Sequence, residues 1–178
     1  CLMKGDWTSI WRNLKTNNEL SSLPIPGDKS GFEIKLKSGE IIQFNNDFGF
    51  VTEGTVDKTT QVKDFFSELN NKAYIYIASY GYYECIETVL KKVLGGSFVD
   101  DYIKILTPEL YKKPGTDTYY EGGTDLEDNK EEILTDILKE MEKKMEDIKK
   151  ENCVFFDDNQ KNVDTAKKLS MTGINAAP

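Results

Sequence analysis

The sequence contains no histidine, and this absence excludes several kinds of catalytic and metal site. The Ser/His/Asp and Cys/His nucleophilic systems need an imidazole base, and many zinc sites need imidazole ligands. Any catalysis must therefore use carboxylates, lysines and hydroxyls. Cysteine is scarce as well, because Cys1, Cys85 and Cys153 are an odd number at wide spacing. That pattern is typical of neither a disulfide framework nor a Cys-x-x-Cys metal site, and it favours a reducing, cytoplasmic location.

Positive charge is in deficit, with 23 Lys and Arg against 31 Asp and Glu, which gives a net charge of −8. Nucleic acids and anionic membranes bind basic surfaces, so neither is an expected partner. Long apolar runs are also missing: residues 74–78 and 154–156 fall far short of the roughly 20 residues of a membrane span. No charged and then apolar leader precedes them. The chain begins with Cys1, and we expect it to be processed.

The length and composition predict one folded domain. A chain of 178 residues can bury a core without metal or disulfide cross-links. Its hydrophobic share of 38% includes nine Phe, nine Tyr and two Trp, which is enough to fold. No linker-like segment divides it, so we predict a single acidic globular domain over residues 1–178.

The last two thirds of the chain alternate helix-like and strand-like segments, which is typical of an α/β domain with a parallel sheet. Apolar residues recur at steps of three and four in the predicted helices and form short uninterrupted runs in the predicted strands. The pair Gly95-Gly96 is expected to stop the second helix. The predicted helices are residues 59–69, 82–94, 126–150 and 162–169, and the predicted strands are 73–78, 153–156 and 173–176.

The N-terminal third has a different pattern. Residues 32–36 alternate apolar and polar side chains, Ser38 and Gly39 suit a turn, and residues 41–44 are again strand-like. Together they predict a β-hairpin with one face exposed to water. Residues 17–30 and 114–128 are rich in turn-forming residues and are expected to be loops.

Polar residues that directly follow two of the predicted strands are the first candidates for a site, because ligands of parallel sheets bind beyond the carboxyl ends of strands. Asp157 and Asp158 follow one strand, and adjacent carboxylates are costly unless a cation or a lysine neutralises them. Ser79 follows another and offers its hydroxyl and nearby N–H groups to an anion, in a turn continued by Tyr80 and Gly81. Both features also have simpler meanings, a solvated turn and a helix cap.

The run of residues 153–166, CVFFDDNQKNVDTA, followed by MTGI at 171–174, resembles the fourth motif of the haloacid dehalogenase superfamily. In that motif a strand ends in paired acids, and an Asn and an Ala follow on the next helix. Ser79, after the strand-like residues 75–78, resembles the second motif, whose hydroxyl holds the phosphoryl group. The resemblance covers about residues 72–176 and is closest to the small magnesium-dependent phosphatases that lack a large cap.

The resemblance implies a Rossmann-like parallel sheet flanked by helices, with a hairpin flap at about residues 31–47. It also implies a third-motif lysine that steadies the phosphoryl group, and the candidates are Lys113 and Lys130. Lys130 fits better, because in capless members this lysine precedes the helix that leads into the acid-pair strand. Either residue could also be an ordinary surface lysine.

The first motif of the family, a strand ending in Asp-x-Asp-x-Thr, has no intact copy in this chain. The best candidate is the segment containing Asp6. If Asp6 is the first acid, Thr8 replaces the second, and proton transfer is impaired; if Asp6 is the second acid, Lys4 stands at the nucleophile position. A rival placement at Asn45-Asn46-Asp47 puts Asn45 at the nucleophile position. It ranks lower, because it leaves little room before the next helix and such tripeptides commonly end a hairpin strand.

The function implied by the resemblance is a Mg²⁺-dependent phosphomonoesterase in which Asp6 forms an aspartyl-phosphate that water hydrolyses. Asp6, Asp157 and Asp158 would hold Mg²⁺, together with the backbone carbonyl of Thr8. Ser79 and Lys130 would hold phosphoryl oxygens, and Tyr80 and Gly81 would bind the substrate beside Ser79. The implied partner is a phosphorylated small molecule, such as a sugar phosphate, or a protein bearing phosphotyrosine. The alternative is a catalytically degraded member of the family that acts as a binding or scaffold module.

Overall fold

The computed structural model describes residues 7–21, 25–26, 32–44, 59–70, 72–113, 115–122, 129–144 and 148–176. The chain divides into two compact units, an N-terminal unit, Leu2–Thr124, and a C-terminal unit, Asp125–Pro178. Each unit combines helices with a short parallel pair of strands, so the predicted α/β class is confirmed. None of the helices in the described ranges has the length and apolar character needed to cross a bilayer.

The N-terminal unit begins with helix α1, Trp7–Thr16. The resemblance implied that a strand and a loop would carry the first motif here, and the structure instead places Thr8 in the first turn of a helix. The physical reason is the spacing of apolar residues at positions 7, 10, 11 and 14, which is helical rather than alternating. Leu14, on that stripe, is buried.

An antiparallel sheet follows α1. Strands β1, Ile25–Pro26, β2, Phe32–Lys35, and β3, Ile41–Phe44, pair in that order, and Phe32 lies opposite Phe44. The turn between β2 and β3 contains Gly39 in the left-handed region, with φ +89. The predicted hairpin is therefore confirmed, and β1 is a short addition to it.

The rest of the N-terminal unit is a parallel pair with helices. Its elements are α2, Thr59–Asn70, β4, Ile75–Ala78, α3, Tyr83–Leu94, α4, Gly96–Tyr102, and β5, Ile103–Leu106. The strands β4 and β5 are parallel, with Ile75 opposite Ile103. The core between them and the helices includes Ile86, Leu90, Val99 and Ile105. The burial of each such side chain stabilises the fold by about 1.5–3 kcal/mol.

The prediction that Gly95-Gly96 stops the second predicted helix is correct for Gly95 only. Gly95 ends α3, but Gly96 begins α4 at once, and neither α4 nor β5 was predicted. Both elements are short, and Asp100 and Asp101 interrupt the apolar pattern of this segment. Local periodicity is too weak to identify elements of this length, whereas pairing with β4 fixes β5 in the fold.

The C-terminal unit contains α5, Asn129–Lys144, β6, Val154–Asp157, α6, Gln160–Lys168, and β7, Thr172–Asn175. The strands β6 and β7 are parallel. The helix predicted over residues 126–150 was too long, because α5 ends at Lys144 and Lys150–Asn152 forms a short 3₁₀ helix. Hydrogen bonds from the N–H groups of Asn152 and Cys153 close this turn before the chain enters β6.

The core of the C-terminal unit lies against α6, which contacts α5, β6 and β7. A Cβ atom on Gly173 would lie 2.7 Å from the carbonyl oxygen of Val163, so β7 approaches α6 more closely than a larger residue allows. Val154, Phe156 and Ile174 are exposed. The buried apolar side chains of this unit include Ile133, Leu134, Ile137, Leu138, Phe155, Val163 and Ala166.

Candidate functional site

The carboxylate of Asp157, the last residue of β6, is held by three neighbouring groups. Its Oδ1 atom accepts hydrogen bonds from the backbone N–H of Asn159, at 2.8 Å, and from Nδ2 of Asn162, at 3.0 Å. Its Oδ2 atom lies 3.7 Å from Nζ of Lys130. Three groups therefore orient one carboxylate at the carboxyl end of a parallel strand.

Lys130 is the second residue of α5 and is only 5% exposed. Its Nζ atom also lies 5.9 Å from the centroid of the Phe155 ring, within the range of a cation–π contact. Burial lowers the pKa of Lys130, and the negative charges of Asp157 and Asp158 oppose that shift without cancelling it. A buried ammonium group beside a strand-end carboxylate is a feature that functional sites share.

The local sequence accounts for this geometry. Asn159 is the N-cap of α6, and its side chain accepts a hydrogen bond from the N–H of Lys161 at 2.9 Å. The helix therefore begins directly after the acid pair and turns Asn162 back toward Asp157. Asn162 is buried together with Val163 and Ala166. An amide side chain on the apolar face of the helix is the feature of the sequence that could have identified Asn162 as a site residue.

The carboxylates of Asp157 and Asp158 differ in how accessible their oxygen atoms are to a cation. Asp157 already accepts two hydrogen bonds on one oxygen and faces an ammonium group with the other, whereas Asp158 is exposed. Within the described ranges no group of three or more His, Cys, Asp or Glu side chains could hold a metal ion. Mg²⁺ needs few protein ligands, because it retains water molecules, so Asp158 suits it better than Asp157 does.

The second predicted position lies in the N-terminal unit, where Ser79 directly follows β4. Its N–H donates to the carbonyl of Leu106 at 3.0 Å, and its Oγ accepts from the N–H of Gly81 at 3.1 Å. A Cβ atom on Gly81 would lie 3.2 Å from the side chain of Ile86, so the turn is closely packed. Ser79, Tyr80 and Gly81 are all half-buried. The hydroxyl of Ser79 thus stands at a strand end, as predicted.

A polar cluster that the sequence did not indicate lies beyond the carboxyl ends of β4 and β5. Lys15 Nζ is 3.2 Å from Glu84 Oε1, 3.7 Å from Glu109 Oε1 and 5.1 Å from the ring centroid of Tyr82. We call Lys15, Tyr82, Glu84 and Glu109 the edge cluster. Burial lowers the pKa of Lys15, but the charges of Glu84 and Glu109 outweigh it, and the net shift is upward.

The remaining predicted residues fall in different places. Lys113, the other third-motif candidate, is exposed, and its backbone N–H donates to the carbonyl of Thr118. Thr8 lies in α1. Asp6 and the segment 45–47 lie outside the described residues. Of the two candidate lysines, only Lys130 is buried beside the acid pair.

Comparisons of the chain with models of known protein families, with curated proteins and with solved structures return no match. The likeness of residues 153–174 to a dehalogenase-superfamily motif thus stays a resemblance between sequences. The chemistry of the site has to be inferred from its own residues. These offer a buried ammonium group, an oriented carboxylate, an exposed carboxylate and, in the other unit, a strand-end hydroxyl.

Proposed function

We propose that this protein is a Mg²⁺-dependent phosphomonoesterase with a Rossmann-like fold of the haloacid dehalogenase type. The observation that carries the proposal is the burial of Lys130 beside Asp157 at the end of β6. A buried ion pair adds little net stability over an apolar pair, because desolvation of both charges offsets their attraction. A lysine held there is better explained by a charged ligand than by stability.

In this proposal the residues have separate roles. Asp6 attacks phosphorus, so that a bond forms from its carboxylate to phosphorus while the bond to the leaving oxygen breaks; water then hydrolyses the aspartyl-phosphate. In the C-terminal unit, Lys130 binds the phosphoryl oxygens, and Asp158, supported by Asp157, is the residue that would hold Mg²⁺. Phosphoryl binding by Ser79 and metal binding by Asp6 are roles that the resemblance implies. The metal would supply positive charge that neutralises the transferring phosphoryl group.

The residue types favour a substrate whose leaving group needs no acid. Thr8 stands two residues after Asp6, where a second acid would otherwise donate a proton. A phenol has a pKa of about 10, well below that of an alkyl alcohol, so a phenolate departs without general acid catalysis. Phosphotyrosine, in a small molecule or a protein, is therefore the preferred substrate class.

The test is hydrolysis of p-nitrophenyl phosphate by the full chain. We expect activity that requires Mg²⁺ and is abolished by Asp6→Asn, because the amide is not a nucleophile. Asp47→Asn, in the rival segment, is the matched control and should retain activity. Loss of activity in Asp47→Asn with retention in Asp6→Asn would show that activity depends on the rival segment and not on Asp6, and would refute this proposal.

The same assay tests the lysine. Lys130→Met should lower kcat about a hundredfold or more, since removal of one donor to a developing charge typically costs that much. Lys113→Met, an exposed lysine outside the acid-pair unit, should leave kcat unchanged. Equal rates for both variants would remove Lys130 from the site.

A degraded, non-catalytic binding module is the second candidate. The observation that favours it is Thr8 in helix α1 where the family's second acid is expected. If the protein is such a module, the Asp6→Asn variant should bind phosphotyrosine as tightly as the intact protein does. Neither protein should hydrolyse p-nitrophenyl phosphate. Measurable Mg²⁺-dependent turnover that is lost in Asp6→Asn decides against it.

The cellular setting that suits this function is a reducing compartment. Cys85 and Cys153 are buried free thiols, and burial raises the pKa of both, so neither is an activated nucleophile. The acidic net charge favours a phosphorylated small molecule or phosphoprotein as partner rather than a nucleic acid.

A further inference from the structure

We draw no further inference here: the strongest candidate, the exposed apolar face that Val154, Phe156 and Ile174 form on the paired strands β6 and β7, carries none, because nothing in the described part of the chain shows what covers it.

Discussion

Lys130 and Asp157 form an ion pair whose two members are supported unequally. Even without the lysine, Asp157 accepts hydrogen bonds from Asn159 and Asn162. Lys130 is buried beside the ring of Phe155, and its Nζ atom lies 3.7 Å from Oδ2 of Asp157. Replacement of the acid therefore takes a carboxylate charge away from a buried ammonium group, whereas removal of the lysine leaves a carboxylate that is still hydrogen-bonded.

We expect Asp157→Asn to lower the free energy of unfolding by about 3 kcal/mol and Lys130→Met by about 1 kcal/mol. The methionine side chain fills a similar apolar volume beside Phe155 and carries no charge to desolvate. Urea unfolding at pH 7, followed by far-UV circular dichroism, measures both values. A larger loss in Lys130→Met than in Asp157→Asn would contradict this account of the pair.

At the scale of elements, the edge cluster both caps α3 and holds α1. Tyr82, the N-cap of α3, makes no capping hydrogen bond with its side chain. Instead, Oε2 of Glu109 accepts from the N–H of Tyr83 at 2.8 Å, and Oε1 lies 3.7 Å from Lys15 of α1. A carboxylate at a helix N-terminus is also favoured by the helix dipole. One acid, 26 residues away in the chain, thus replaces a local cap.

Glu109→Ala should therefore lower the free energy of unfolding by about 2 kcal/mol, because it removes a helix cap and a partly buried ion pair. Glu109→Gln keeps an oxygen that can accept the N–H of Tyr83 and should cost about half as much. Thermal and urea unfolding measure both.

Glu87→Ala is the control for this prediction. Glu87 pairs with Lys91 on the same helix, one turn along α3, and a surface pair of this kind contributes about 0.5 kcal/mol or less. If Glu87→Ala and Glu109→Ala cost the same, the edge cluster does not cap α3.

At the scale of the whole molecule, the stability of the protein should fall as the pH rises above 9. Burial, with smaller contributions from the charges of Glu84 and Glu109, raises the pKa of the Cys85 thiol far above its ordinary value of 9.0. The unfolded chain therefore loses this proton at a pH where the folded protein keeps it. Because the folded state then binds more protons than the unfolded state, the free energy of unfolding decreases with pH.

Above roughly pH 9.5, Cys85 should lower the free energy of unfolding by about 1.4 kcal/mol per pH unit, the value for one proton. We expect Cys85→Ala to lose that part of the slope, whatever its stability at pH 7. Urea unfolding of both proteins at pH 7, 9, 10 and 11 gives the two slopes. Parallel curves would show that the thiol ionises equally in both states.

Much of the fold could be predicted from short-range patterns. The helices α2, α3 and α6 repeat a period of about 3.6 residues, the hairpin of β2 and β3 alternates with a period of two, and the strands β4 and β6 are short apolar runs. These elements and β7 formed within a few residues of the predicted bounds. The elements that were not predicted are α1, α4 and β5. The elements α4 and β5 are short. At α1, a motif of a resembling family was given more weight than the helical spacing of the apolar residues.

What the sequence determined by itself was the position of Asp157, Asp158 and Ser79 at strand ends, because the residues of a strand and the turn after it are neighbours in the chain. Only the tertiary structure decided that Lys130, rather than Lys113, lies buried against Asp157 and that Lys15 meets Glu84 and Glu109. These contacts join residues separated by 27 to 94 positions, since they depend on how whole elements pack, and no periodicity within a segment encodes that packing.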